Sequence, residues 1–139
     1  MNSEKPKWVG TPKYDEGKPA WHVLPYKALE EVVRVFEYGA KKYGKPLTYR
    51  KGIPYSKLFD ATLRHLISWF WYRESTDKES GCHHLAHVCA NALMLLTIIQ
   101  SHDTNNQFDD RPLGRSNSVS VYNKSYSPLE SPKYNTTGD

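Results

Sequence analysis

Cysteine is nearly absent from this chain of 139 residues; Cys82 and Cys89 are the two it has. On one helix, a separation of seven residues sets them about 10 Å apart at 1.5 Å per residue. That is beyond disulfide reach. A disulfide-stapled secreted domain is excluded, and a reducing, cytoplasmic setting is expected. Long hydrophobic runs are missing too. The longest, "ALMLLTII", is far too short to span a bilayer, and no charged-then-apolar leader opens the sequence. No membrane partner is expected. There is no internal repeat and no convincing strand. The positive excess is small, a net charge of +4 with a pI near 9.0. That falls well short of a protein that coats nucleic acid, so no stable nucleic-acid partner is expected.

What is present gathers in the middle. Residues 26–100 hold 11 basic and 7 acidic side chains, against 4 and 3 in residues 1–25 and 4 and 5 in residues 101–139. A basic pocket on a globular body suits a phosphate-bearing ligand. The length makes one domain the default, and 38% hydrophobic residues can bury only a modest core.

Residues 1–25 carry Pro6, Pro12, Pro19 and Pro25, which with Gly10 and Gly17 forbid a long helix. Trp8, Tyr14 and Trp21 are costly to leave in water, so an extended aromatic arm across the body is expected. Residues 26–43 read as a helix with Leu29, Val32, Val33, Phe36 and Ala40 as its apolar stripe. Pro25 sits just ahead of it, and Gly44 and Pro46 end it. Residues 56–73 read as a second helix, with Ser56 as N-cap and a stripe of Phe59, Leu63, Leu66, Ile67 and Phe70. Ser80 can cap a third, to residue 101, carrying Leu85, Val88, Ala92, Leu95, Leu96 and Ile99. Residues 103–139 turn rich in Ser, Asn, Asp and Pro and read as a flexible polar tail or one draped on a partner. The expected fold class is all-α, a helical catalytic domain over residues 26–102 between arm and tail. Trp69, Phe70, Trp71 and Tyr72 in succession cover nearly every side of the second helix. A single thin bundle would struggle to bury that, so self-association is expected.

The stretch "ESGCHHLAHVCANALMLL" puts His83, His84 and His87 within five residues. At about 100° per residue, His84, His87 and Asn91 share one helix face and His83 lies on its flank. An unpaired buried polar group costs about 1–3 kcal/mol, so a buried stripe of this kind needs partners. Metal ligation, acid–base work, phosphate contact and a plain polar helix start all fit. Histidines three or four apart suit a metal only with a further ligand. Glu30, Glu31 and Glu37 on the first helix could supply one, as could Glu74, Asp77 and Glu79 just before the histidines. The plainer account is a solvated charged face and an acidic loop complementing a helix dipole. Lys41, Lys42 and the Arg64–His65 pair could reach a phosphate.

Taken in order, "KYDEGKPAWHVLP", "ALEEV", "YGAKKYG", "RHL", "ESG" and "HLAHVCANAL" resemble a phage-associated family, the dATP/dGTP diphosphohydrolase N-terminal domain, related to the MazG-like nucleotide pyrophosphohydrolases. The resemblance covers residues 13–99. It implies a MazG-like helical bundle completed by oligomerisation, as a homodimer or homotetramer, in the host cytoplasm if phage-encoded. It implies a hydrolase, dependent on Mg²⁺ (or Mn²⁺), that cuts a purine deoxynucleoside triphosphate between its α and β phosphates. The positions that match are Lys18, Leu24 and Pro25 in the arm, Glu30, Gly39, Lys42 and Tyr43 on the first helix, and Arg64 and His65 on the second. Glu74, Asp77, Glu79, His84, His87 and Asn91 follow.

On that basis Glu30, Glu31 and Glu79 are the expected metal ligands. Glu30, Glu31, His65, Glu79, His84 and His87 are the expected catalytic set. Lys18, Trp21, Lys42, Arg64 and Asn91 are expected to bind substrate, Trp21 by stacking on the base. The sequence departs from its relatives in four places. His84 and His87 stand where they typically carry Glu-x-x-Asp. Glu31 is followed by Arg34 rather than a second glutamate. The loop "KPLTYR" replaces an Asn-Trp, and an Asp expected near His22 is absent. Imidazoles suit Mg²⁺ poorly, so a catalytically inactive nucleotide-binding or regulatory module is the alternative, and a purely structural helical protein a third.

Overall fold

The computed structural model describes residues 10–101 and 107–113. The first nine residues of the expected arm, with Trp8, and residues 103–106 and 114–139 of the expected tail lie outside the described residues. Among those described there are three α-helices and no strand, so the protein is all-α. α1 runs Tyr26–Tyr43, α2 Tyr55–Phe70 and α3 His84–Ser101. Residues 10–25 of the arm make a turn at residues 15–18 and a 3-10 turn at Trp21–Val23, and they do not pack across the body as expected: Tyr14 is 87% and Trp21 70% exposed.

The boundaries follow local chemistry. Pro25 is the N-cap of α1, and Gly44 ends it at φ 79°, a left-handed cap that glycine adopts freely. α2 stops at Phe70, short of the expected residue 73, where Arg73 turns left-handed at φ 56°. Ser80 does not cap α3. Its hydroxyl is committed to Asp77, and the chain makes a tight turn in which the Gly81 N–H bonds the Asp77 carbonyl at 2.7 Å. α3 therefore starts later, at His84, whose N–H reaches back to the Ser75 carbonyl.

α3 lies between α1 and α2, which meet mainly through it. One core cluster joins Val32 and Val35 of α1 to Cys82, Ala86 and Ala90. Another joins Tyr55 and Leu58 of α2 to Ile98, with Met94 touching both. The apolar stripes expected from spacing are only partly the buried ones. On α1, Val35 is buried and Val33 exposed. On α2, Phe59, Leu63, Ile67 and Phe70 are all exposed, and the helix turns Tyr55, Leu58 and His65 toward α3 instead. On α3, the face carrying His84, His87 and Asn91 is the inward one, while Leu93, Leu96 and Ile99 face outward. α3 has no charged residue, and with a mean hydropathy of 1.3 over 18 residues it is long and apolar enough to cross a membrane. The eight-residue run is too short by itself, but the His, Ala, Val, Cys and Asn residues ahead of it lengthen the apolar helix to 18 residues.

Residues 107–113, expected in the tail, lie on α2. Phe108 packs against the cluster of Tyr55, Leu58 and Ile98, and its carbonyl accepts the Tyr55 N–H at 3.0 Å. Asp110 accepts the Ser56 N–H at 2.9 Å and also the Ser56 hydroxyl. The N-cap position of α2 belongs to Pro54, not Ser56, and this aspartate takes the amide that a capping side chain would take. Gly52, at φ 107°, leaves room for the Phe108 ring; a Cβ there would lie 2.1 Å from it.

Candidate active site: an imidazole cluster between α2 and α3

His65 on α2 faces His84 and His87 on α3. Its Nδ1 lies 2.9 Å from Nδ1 of His84, and its ring stacks on that of His87 with centroids 4.2 Å apart and planes 7° from parallel. His84 is 4% exposed and His87 9%, so this is an interior cluster of imidazoles. The 71–83 loop brings two carboxylates to it. Asp77 Oδ2 is 3.8 Å from His87 Nε2, and Glu74 Oε2 is 3.7 Å from His84 Nε2.

Proton counting fixes one tautomer. Asp77 is an acceptor, so the 2.8 Å contact from Ser80 Oγ to its Oδ2 uses the only hydroxyl proton. His87 Nε2, 2.7 Å from the same Oγ, must then be the N–H donor, which leaves its Nδ1 a lone pair. His84 Nε2 is buried with no hydrogen-bond partner.

Burial and neighbouring charge disfavour a proton on His65 and His87. Burial first, then the neighbouring His87, with His84 and Arg64 adding, push His65 down to about 4 against the opposing Asp77. Burial also lowers His87, with Asp77 partly opposing. Burial alone would raise Asp77, but the Ser80 N–H and hydroxyl, then His87 and His65, hold it below the ordinary carboxylate range.

A cavity of about 550 Å³ lies along the same α3 face, with Phe36, Tyr43, Tyr49, Leu58 and Asn91 among its lining residues. Asn91 is 8% exposed and its Nδ2 has no hydrogen-bond partner. It follows His87 by one helical turn, about 6 Å along the axis.

The structure thus brings together His65, His84, His87 and Asn91 from the expected set, with Arg64 exposed beside His65. It does not bring together Glu30, Glu31 and Glu79. Glu30 is exposed and Glu31 pairs with Arg34 at 2.8 Å. Glu79 accepts from Tyr38 at 2.7 Å and from Lys42 at 2.5 Å, and those bonds, Lys42 first, hold its carboxyl below its usual range. The set of hard oxygen donors that Mg²⁺ prefers does not form from these three residues. Lys18 bonds the Tyr14 carbonyl at 3.3 Å, within the arm, and Trp21 is 70% exposed and does not line the cavity. Spacing along one helix could not show that His65 meets α3. Asp77 was among the carboxylates expected near the histidines, but the bond of Ser80 to it was missed, although the Asp-x-x-Ser spacing in "DKES" is a turn signal in which side chains bond nearby backbone.

The fold and site define the chain as an all-α protein with a buried imidazole–carboxylate cluster beside an amide-lined cavity. Residues 10–111 match the family described as dATP/dGTP diphosphohydrolase, N-terminal, and the chain belongs to that family. It is also similar to a dATP/dGTP diphosphohydrolase of Salmonella phage PMBT28, with 30% identity over 99 residues, 71% of this chain and 32% of that relative. The chain thus spans about a third of the relative's length. No solved structure matches.

Proposed function

We propose that this chain binds a purine deoxynucleoside triphosphate and hydrolyses it to the monophosphate and pyrophosphate. Water oxygen attacks the α phosphorus, the α–β bridging P–O bond breaks, and pyrophosphate leaves. The observation that carries the reading is the buried Asn91, whose amide nitrogen has no hydrogen-bond partner, on the wall of a largely apolar cavity one helical turn from His87. An amide offers a donor and an acceptor side by side, the pattern that matches a purine edge. Tyr43, Tyr49 and Phe36 supply flat apolar walls for the base. The triphosphate would then run along α3 toward His87, whose Nδ1 lone pair can accept a hydrogen bond from the attacking water and orient it. Lys42 and Arg64 would share the phosphate charge.

The family and the name of the phage relative support the same substrate class. We further propose a MazG-like bundle completed by a second copy of the chain, in a host cytoplasm. The exposed Leu93 and Leu96 of α3, beside a groove of about 560 Å³ between α1 and α3, support that assembly.

The second reading, a nucleotide-binding or regulatory module without turnover, draws on the histidines that replace the expected carboxylates at His84 and His87. One experiment separates the two. Purified protein is incubated with each dNTP and a panel of divalent ions, and the products are resolved. Pyrophosphate and monophosphate from dATP or dGTP support hydrolysis. Thermal stabilisation by these nucleotides with no pyrophosphate supports the binding module, and no response to any nucleotide removes both.

A further inference from the structure

We propose that His65, Asp77 and His84 form a binding site for a divalent first-row transition ion, of the Mn²⁺ to Zn²⁺ series, and not for Mg²⁺. One donor atom from each residue lies within 4.8 Å of the other two. The three come from α2, the 71–83 loop and α3, so the fold, not local sequence, assembles them. Two imidazoles and one carboxylate make a borderline donor set. Such sets favour transition ions, while Mg²⁺ seeks oxygen ligands and dehydrates reluctantly.

Two further observations point to an ion. His65 and His84 aim Nδ1 at Nδ1 across 2.9 Å, an approach that one shared proton must bridge. A cation between them would replace that proton and use both lone pairs. His84 would then carry its proton on Nε2, the buried atom that has no hydrogen-bond partner. Glu74 Oε2 stands 3.7 Å from that atom, slightly beyond a hydrogen bond. A small approach would give a carboxylate–histidine–metal arrangement, in which the outer carboxylate fixes the tautomer and strengthens the ligand. Asp77 is already oriented by the Ser80 N–H at 2.9 Å and hydroxyl at 2.8 Å.

The inference rests on the proposed function only in taking this cluster as the working site. Its test reads the ion directly. Apoprotein prepared with a chelator is titrated with Co²⁺ and followed by visible absorption, with Zn²⁺ and Mn²⁺ in competition and Mg²⁺ as the comparison. The expected result is one saturable site per chain, displaced by Zn²⁺ and unaffected by millimolar Mg²⁺. His65→Ala and His84→Ala should abolish the absorption, and Glu74→Gln should weaken binding about 10- to 100-fold. His83→Ala, on the flank, should bind as the parent does, and circular dichroism checks that each variant is folded. Absence of a Co²⁺ site in the folded parent would overturn the inference, as would a site that survives in folded His65→Ala and His84→Ala. A protein that binds Co²⁺ but cleaves no nucleotide keeps this inference and loses the proposed hydrolysis; one that cleaves dNTPs with Mg²⁺ alone and binds no Co²⁺ does the reverse.

Discussion

Acidification should destabilise the fold through His65 at a higher pH than through Asp77. The ring sits between His84 and His87 of α3, near Asp77 of the loop and Arg64 of its own helix, and burial with these neighbours pushes it from the usual 6.5 to about 4. Above pH 6.5 the imidazole is neutral in folded and unfolded chains alike and contributes nothing. Between 6.5 and about 4 the unfolded chain takes a proton that the folded chain refuses, so stability falls as pH falls. Below about 4 both states hold the proton and this loss levels off. Each tenfold change in proton affinity is worth about 1.4 kcal/mol, which sets a ceiling near ~3 kcal/mol. The ring is only partly buried, and screening by water leaves about 1–2 kcal/mol. Urea unfolding with a chelator present, at pH values from 7.5 to 4.5, measures it. The parent should lose that amount across the range, and His65→Gln should lose less than half as much, the remainder coming from His87. A parent midpoint that does not move, or a variant that falls as steeply as the parent, would refute the reasoning. Asp77, held below its usual 3.8, gives up its contribution only at still lower pH and does not blur the window.

Three other outcomes follow from single contacts. Gly52→Ala combines a left-handed backbone with a Cβ 2.1 Å from the Phe108 ring, and should cost about 2–4 kcal/mol in urea unfolding; with Phe108→Ala in the same chain the two losses should be less than additive. Ser56→Ala removes a bond to Asp110 and should raise hydrogen exchange at residues 107–113 more than elsewhere on α2. Lys42→Met breaks a solvent-exposed pair with Glu79 and should leave the melting temperature nearly unchanged, while raising KM for a triphosphate if Lys42 shares the phosphate charge.

Much of the helical layout was legible from spacing and punctuation. α1 matched at both ends because Pro25 and Gly44 are strong local signals. The start of α3 was misplaced because Ser80 has two uses, capping a helix and bonding Asp77, and sequence cannot rank them. Which face of each helix is buried was harder. α2 carries aromatic and aliphatic residues on most sides, so periodicity marked Phe59, Leu63 and Ile67 as a core stripe that one copy of the chain leaves exposed. α3 is apolar all round, so its polar stripe proved the better guide to its inward face. Of the site, His84, His87 and Asn91 were visible as one helix face. His65, Asp77, Glu74 and Ser80 join them only through tertiary folding. The carboxylates carried over from the family pattern, Glu30, Glu31 and Glu79, sit where Arg34, Lys42, Tyr38 or solvent engages them.

The central claim is that one face of α3 serves both halves of a nucleotide, the amide end holding the base and the imidazole end meeting the phosphates. A crystal structure of the chain with a nonhydrolysable dATP or dGTP analogue measures this directly. The expected result is the purine edge against Asn91, inside the cavity walled by Tyr43 and Tyr49, with the α phosphate beside His87. A purine stacked on Trp21 of the arm, or an α phosphate remote from His87, would contradict it.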